Sequence, residues 1–335
     1  MITVIGEAII GLVPAPDSAL LRVIPGRGPV SVAVGAARLG HPTALMARLS
    51  SDWFGQFLRH HATCNGVDLD AAPEADEPAT ITIALPGPAP HGKKSFHFQG
   101  AADWQWGTAE LARIPAATSV LHLGSLACCM APGAPRILKA ASRKRSSGAL
   151  VCVDPDVCPE IMGTPARGRL LIEQAVRAAD VVKASIEDIG WLYPGSSLED
   201  AAGRWLTLGP DLVVITCGGD GAMAIRATRT VLYRRAHRVR VADTTGAGDA
   251  FSSALLGWLH ELGRADGSLR ALSGTDLTQM LDACILAAGV SCERMGADPP
   301  TAAELKNAVP QRPIADTATS FALQPVQVSC INGLS

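Results

Sequence analysis

Short apolar runs alternate with amphipathic stretches along most of this 335-residue chain. The runs lack polar alternation, which is typical of parallel strands that helices bury on both faces. Strands that alternate with helices predict an α/β fold with a mainly parallel sheet. The strand candidates are Ile2–Ile5, Thr43–Ala47, Ser119–Leu123, Ala149–Val153, Val181–Lys183 and Leu212–Thr216.

Helix candidates lie between these runs and end at glycine or proline. The clearest extends from about Gly248 to Leu262, with a continuous apolar stripe and Gly263 after it. The others are Val30–Leu39, Gly168–Ala178 and Ser197–Leu208.

Two segments, residues 12–26 and 78–104, interrupt this alternation with short strand-like stretches and turns. They predict a small sheet that is separate from the main one. The chain after Pro310 has weak periodicity. We therefore expect one domain over residues 1–310 and a C-terminal extension over residues 311–335.

The composition excludes several classes of partner. A formal net charge of -2 provides no basic surface for nucleic acid or for an anionic membrane. The start, Met1–Glu7, lacks the basic region of a signal peptide, and no apolar run reaches the roughly 18 residues that cross a bilayer. Nine cysteines without framework spacing suit a reduced compartment, so we expect a cytoplasmic protein.

The stretch Asp243–Phe251 carries the most specific chemistry. Its glycines allow a tight turn directly before a helix, where converging N–H groups and the helix dipole bind anions. Asp249 in the first helical turn is suited to accept a proton from a hydroxyl nucleophile. A glycine-rich turn alone is more often only a helix start, so that alternative stays open on this feature.

The same string resembles the DTxGAGDxF signature of the ribokinase-like family, also called the PfkB family. The resemblance implies that Asp249 is the catalytic base and that the amides of Gly246, Ala247 and Gly248 form the anion hole for the γ-phosphate of ATP. It also implies a ribokinase-like three-layer α/β/α sandwich, with a mainly parallel central sheet and a small β-sheet lid.

Two further matches fall on the nucleotide side. Thr216–Gly221 resembles the family's TxGxxG, and Lys183–Asp188 resembles KxNxxE, which is associated with magnesium and phosphate. A common turn and a solvated helix start are the structural alternatives. In the second motif Ser185 and Asp188 replace the usual Asn and Glu, so altered Mg²⁺ contacts are expected, with Asp188 acting through water. The ATP-binding residues that the resemblance implies here are Lys183, Ser185, Thr216, Gly218, Gly219, Gly221 and Gly248.

Arg294–Ala297 resembles the RxGA that follows the last core helix. By its offset from this motif, Cys284 is expected to flank the adenine. The resemblance also implies a possible monovalent cation site, such as a K⁺ site, at Asp243 and Thr245.

The sugar side departs from the family pattern. Gly26–Ala33 resembles the sugar-binding turn GGxxxNxA, and Gly6–Pro14 resembles the fructokinase-type opening GExLIDxxP. Arg27 replaces the second Gly, Ser31 replaces Asn, and Gly11 replaces Asp. With Asp249, the implied substrate-binding residues are Gly11, Gly26, Arg27, Gly28 and Ser31. Lost polar groups predict a changed substrate.

The expected function is ATP- and Mg²⁺-dependent phosphorylation of a hydroxyl on a small carbohydrate, nearest to fructokinase. A 2-keto-3-deoxygluconate kinase and a ribokinase-type activity are alternatives. Arg27 would bind the carboxylate of such a sugar acid, or else point to solvent. A non-catalytic ligand-binding member of the fold is the alternative from another class. The resemblance further implies a homodimer formed through the lid.

Overall fold

The computed structural model describes residues 1–14, 20–84, 94–124, 126–227, 230–263 and 268–308. Parts of both predicted lid segments, residues 15–19 and 85–93, lie outside this set, and so does the expected extension 311–335.

The described strands are numbered in chain order. They are β1 (Ile2–Ile5), β2 (Ile10–Pro14), β3 (Leu21–Ile24), β4 (Thr43–Met46), β5 (Leu49–Ser50), β6 (Glu74–Ala75), β7 (Ile81–Ala84), β8 (Lys94–His97), β9 (Val120–Leu123), β10 (Leu150–Val153), β11 (Val181–Ser185), β12 (Leu212–Thr216), β13 (Gly221–Arg226) and β14 (Val231–Arg235).

The described helices are numbered in the same way. They are α1 (Pro29–Arg38), α2 (Trp53–Cys64), α3 (Thr108–Leu111), α4 (Ala134–Ser146), α5 (Pro159–Met162), α6 (Pro165–Arg177), α7 (Ile186–Leu192), α8 (Leu198–Leu206), α9 (Ala247–Leu262), α10 (Ser268–Ala271), α11 (Gly274–Cys292) and α12 (Ala302–Ala308).

The central sheet joins eight of the described strands in the order β14-β13-β12-β11-β10-β9-β1-β4. Strands β4, β1, β9, β10, β11 and β12 are parallel, and β13 and β14 complete the sheet in antiparallel pairing. The six predicted strands are the parallel ones, so the mainly parallel sheet is confirmed. The antiparallel edge was not predicted, because its strands follow a glycine-rich turn and lack a flanking helix.

Helices cover both faces of this sheet and give three layers. Alternate strand residues point to opposite faces, as in β10, where Val151 packs on one side and Cys152 on the other. Helices α4, α6, α7 and α8 bury their apolar faces on the first side, and α1, α9 and α11 on the second. The predicted helices are α1, α6, α8 and α9, with bounds that shift by at most a turn.

Strands from the two interrupting segments form a separate sheet, as predicted. Its order is β3-β2-β7-β8, with β2 parallel to β7 and antiparallel pairs at both ends. A two-stranded parallel pair, β5-β6, lies elsewhere. Among the described residues, no helix combines the length and apolar character that a membrane crossing requires.

Candidate active site

The turn before α9 lies beyond the carboxyl ends of the parallel strands, where ligands bind in open α/β sheets. Gly246 has φ 80°, and a Cβ on it would lie 2.8 Å from Ala297. The carboxylate of Asp243 fixes this turn, because its two oxygens accept the Thr245 and Gly296 N–H groups at 2.9 Å each. Burial alone would raise the pKa of Asp243, but these N–H groups hold it below its usual value.

Asp249 lies in the first turn of α9 and is half-buried. Its Oδ2 accepts the Gly28 N–H at 3.0 Å, which joins the predicted base to the predicted sugar-binding turn. Burial, followed by the charge of Asp156, raises the pKa of Asp249 to about 7, against the opposing effects of Arg27 and the Gly28 N–H. A carboxyl with this pKa is suited to general base catalysis near neutral pH.

One cavity of about 340 Å³ opens beside this turn. Strand ends β11 and β12, the turn into β13 and the start of α9 form its polar wall. The predicted ATP-binding residues found together in this wall are Lys183, Ser185, Thr216, Gly218, Gly219, Gly221 and Gly248. An apolar wall faces them, with Val241, Phe251, Ile285 and Ala288.

The Lys183 ammonium lies behind the turn that Gly246, Ala247 and Gly248 form before α9. The side chain is 5% exposed, and Nζ donates to Asp154 Oδ2 at 2.9 Å. The Ser252 hydroxyl donates to the same oxygen at 2.9 Å, so Asp154 joins strands β10 and β11 to helix α9. Burial alone would lower the pKa of Lys183, but the Asp154 carboxylate raises it above its usual value. A Cβ on Gly248 would lie 3.3 Å from Nζ, which places a positive charge at the turn.

Asp188 lines the same cavity from the start of α7. Its Oδ2 accepts from the Ser185 N–H and hydroxyl at 2.7 and 2.8 Å, and its Oδ1 accepts from the Val157 N–H at 2.8 Å. Burial, then the charges of Asp156 and Asp154, raise the pKa of Asp188 to about 6. The substituted motif therefore builds a helix cap as well as a cavity wall.

The expectation for Cys284 is corrected by the structure. Its side chain is 0% exposed and belongs to the core under α11, so it does not reach the cavity. Its neighbour Ile285 lines the cavity instead, with Ala288 and Gly289 one turn further along. The side-chain expectation for Cys284 was wrong, because the helix turns this residue toward the sheet.

A second cavity of about 250 Å³ lies under the small sheet. Two of the predicted substrate-binding residues, Gly11 and Arg27, line it together with Glu7, Thr82 and Phe96 among others. A Cβ on Gly11 would lie 2.6 Å from the side chain of Ile24, so this strand position favours glycine for packing.

Gly26, Gly28 and Ser31 form the turn behind this cavity. Ser31 is buried, and its hydroxyl donates to the Gly26 carbonyl at 2.8 Å, so it holds the turn together. A Cβ on Gly26 would lie 2.4 Å from the Ile9 carbonyl. Asp249 lies between the two cavities, with Gly248 in the wall of the first and Arg27, next to Gly28, in the wall of the second.

Sequence reasoning missed Glu7, Asp154, Asp156 and Glu160. Asp156 lines both cavities and has φ 35°, a left-handed value that no other described non-glycine residue shares. The available signal was the position of Asp154 and Asp156 directly after the apolar run of β10. Polar residues at such a strand end face the ligand edge of the sheet.

These features match a known class of enzyme. The pattern of the pfkB family carbohydrate kinases matches residues 1–303. The fructokinase of Klebsiella pneumoniae is 31% identical over 280 residues, which cover 81% of this chain and 88% of the relative. The fructokinase of Vibrio cholerae O395, solved in a form with fructose, ADP and calcium ion bound, has a TM-score of 0.80 at 26% identity and covers 91% of this chain and 97% of its own.

A second solved relative is the aminoimidazole riboside kinase of Salmonella enterica, complexed with aminoimidazole riboside and an ATP analog. It has a TM-score of 0.78 at 27% identity and covers 91% of this chain and 98% of its own. The fold is therefore that of the sugar kinases, and the activity class is sugar phosphotransfer. The chain belongs to the pfkB family of carbohydrate kinases, and it is fructokinase-like.

Proposed function

We propose that the protein transfers the γ-phosphoryl group of ATP to a hydroxyl of a small carbohydrate, with a fructokinase-like acceptor. The observation that carries this proposal is the placement of Asp249 between the two cavities, hydrogen-bonded to the Gly28 N–H and adjacent to the Gly246–Gly248 turn. The relatives crystallised with fructose and ADP, or with a riboside and an ATP analog, support a protein that binds an acceptor and a nucleotide together.

In this mechanism the acceptor hydroxyl donates its proton to the Asp249 carboxylate. The hydroxyl oxygen then forms a bond to the γ-phosphorus, and the bond from that phosphorus to the β-phosphate oxygen breaks, which releases ADP. The N–H groups of Gly246, Ala247 and Gly248 bind the oxygens of the phosphoryl group during its transfer. The positive charge of Lys183 behind Gly248 adds to this stabilisation of negative charge. The proton leaves Asp249 to water after transfer.

Magnesium fits the polar wall of the nucleotide cavity. Asp188 would hold it through water, since hard oxygen ligands suit Mg²⁺. No group of three or more metal-ligating side chains converges among the described residues, which fits an ion held largely by phosphates and water. Buried Asp154 Oδ1 lacks a hydrogen-bond partner, so this wall has an oxygen atom that can still accept a hydrogen bond. When bound, the ion neutralises charge on the phosphates.

A monovalent cation such as K⁺ is proposed behind the turn, near Asp243 and Thr245. Each Asp243 oxygen accepts one N–H group and keeps a further lone pair. The buried hydroxyl of Ser291 lacks a hydrogen-bond partner and precedes Cys292, whose carbonyl accepts the Asp243 N–H at 3.2 Å. Replacing KCl by choline chloride in the assay would then lower turnover.

A homodimer through the small sheet is the remaining part of the proposal. Leu20 and Leu21, at its edge strand β3, are 71% and 48% exposed. Exposed apolar side chains on an edge strand favour pairing with a second sheet. Light scattering of the purified protein would show a dimer, and Leu21→Glu would shift it toward monomer. A monomer at all concentrations would contradict this.

The experiment that tests the function is ADP release with Mg-ATP across neutral ketoses, pentoses, sugar acids and ribosides. Turnover on one acceptor should fall about 10²- to 10⁴-fold in Asp249→Asn, because general base catalysis contributes that much. Asp276→Asn is the matched control, since Asp276 also lies in the first turn of a helix but hydrogen-bonds to Ser273 in its own helix cap, whereas Asp249 accepts from Gly28.

Three outcomes distinguish the possible functions. Loss in Asp249→Asn with normal turnover in Asp276→Asn supports the base assignment. Equal turnover in both would refute it. Absence of turnover on every acceptor, with ATP still bound, would favour the non-catalytic ligand-binding alternative.

A further inference from the structure

The walls of the acceptor cavity carry an excess of negative charge. Its ionisable side chains are the carboxylates of Glu7, Asp156 and Glu160 and the guanidinium of Arg27, apart from the thiol of Cys158. Glu7 is buried, and its Oε2 accepts the Ala127 N–H at 3.0 Å, so this carboxylate is fixed in place. Three carboxylates face one cation in a space the size of a monosaccharide.

Asp156 has the most informative position of the three. Of the residues described, only Asp156 lines both the nucleotide cavity and the acceptor cavity. It therefore lies at the junction where the phosphoryl group must pass from donor to acceptor. Burial, followed by the charge of this carboxylate, raises the pKa of Asp249, so Asp156 already acts electrostatically on the proposed base.

The backbone holds Asp156 at this junction despite a cost. Its φ of 35° is left-handed, where aspartate is tolerated better than most residues but is still unfavourable. Residues kept in such conformations cluster at functional sites. The segment after β10 begins at Asp154, which is buried and paired with Lys183, so one end of this segment is fixed two residues before Asp156.

We propose that Asp156 is a specificity-determining residue, which makes the acceptor cavity select neutral or cationic acceptors and exclude sugar acids. This inference rests on the proposed function of the cavity. An acceptor whose hydroxyl reaches Asp249 brings its own substituents close to Asp156. Two like charges roughly 6 Å apart, at an effective dielectric constant of roughly 40, repel strongly enough to weaken binding about tenfold.

The role of Arg27 follows from the same charge count. Arg27 is exposed and lowers the pKa of Asp249 and of Asp243, so its charge already acts on these carboxylates. A sugar acid would have to compete with them for the guanidinium. The earlier hypothesis, in which Arg27 binds the carboxylate of an acidic substrate, is thus the opposing outcome of the test.

The test is calorimetric titration of fructose and of 2-keto-3-deoxygluconate, which needs no turnover and so remains informative if catalysis fails. The wild type should bind the sugar acid at least tenfold more weakly than fructose. Asp156→Asn should narrow this ratio to about twofold by strengthening the binding of the acid. Asp156→Gly should narrow the ratio in the same way. Glycine adopts the left-handed φ readily, so this variant keeps the test valid if Asp156→Asn fails to fold.

Asp276→Asn, which removes a carboxylate outside both cavities, should leave the ratio at its wild-type value. Tighter binding of the acid than of fructose by the wild type, abolished in Arg27→Ala, would overturn the proposal. An unchanged ratio in both Asp156 variants would overturn it equally. Neither result would contradict the assignment of Asp249 as the general base, because that assignment is tested by turnover in Asp249→Asn.

Discussion

Removal of the Lys183 ammonium should destabilise the fold and slow phosphoryl transfer together. In Lys183→Met the 2.9 Å ion pair is lost, and the Asp154 carboxylate stays buried with the Ser252 hydroxyl donating to it. Both side chains are under a tenth exposed, so solvent screens the pair weakly. Breaking a buried ion pair from one side costs about 3–5 kcal/mol of unfolding free energy.

A double variant shows whether this loss of unfolding free energy comes from the broken ion pair between Asp154 and Lys183. Asp154→Asn with Lys183→Met leaves no buried charge at this position, so it should be more stable than Lys183→Met alone. Urea unfolding of the wild type, both single variants and the double variant then gives the coupling free energy, expected at about 2 kcal/mol or more. The raised pKa of Lys183 means that its contribution is fully present below the unfolded pKa, so the measurement belongs at neutral pH.

The same variants separate stability from catalysis. Lys183 lies against Gly248, so turnover measured well below the unfolding transition should fall in Lys183→Met and should not recover in the double variant. If the losses of unfolding free energy in the two single variants add up to the loss in the double variant within about 0.5 kcal/mol, the pairing argument is refuted. Full recovery of turnover in the double variant would refute the electrostatic role of the ammonium at the anion-binding turn.

Three further predictions concern pH and the turn. Burial raises the pKa of Asp103 to about 7, so this carboxyl holds its proton more tightly in the folded state than in the unfolded state. The free energy of unfolding should therefore fall as pH rises from about 4 to 7, by up to about 4 kcal/mol. Asp103→Asn should make this slope shallower in urea unfolding at pH 5 and 8; an unchanged slope would contradict the assignment. Because Asp249 must be ionised to accept a proton, kcat/KM should rise with pH through about 7, and a flat profile from pH 5.5 to 8.5 would exclude it as the base. Gly246→Ala should lower kcat tenfold or more, since its Cβ would clash with Ala297 at positive φ, while Gly274→Ala has open space and should not.

The sequence predicted the central sheet well because its strands are apolar on both faces. Segments such as Leu212–Thr216 have no other stable place than between two helix layers, so their bounds hardly moved. Strand β13 is buried but half of its residues are Gly or Ala, and β14 is half-polar and partly exposed, so no periodicity distinguished them from a loop.

Residues of the larger of the two cavities, the one beside the turn before α9, were easier to predict because main-chain atoms form much of its wall. Glycines at 218, 219, 221 and 248 line the cavity through main-chain positions, and a motif of glycines fixes those positions without knowledge of side-chain direction. Cys284 shows the limit of such reasoning. An offset from a motif pointed to helix α11, but each residue turns the helix face by 100°, so Cys284 points into the core while its neighbour Ile285 lines the cavity.

The acceptor side was less predictable because its charges come from segments far apart in sequence. Glu7, Arg27 and Asp156 meet only when β1, the turn before α1 and the end of β10 are placed side by side. Read singly, Arg27 suggests an anionic substrate, whereas the assembled wall has more carboxylates than cations. Substrate charge is set by the sum of the wall, so a single substituted residue in a motif predicts it poorly. The proposed transfer chemistry needs one base and one turn, which a contiguous string can encode, but selectivity needs a surface.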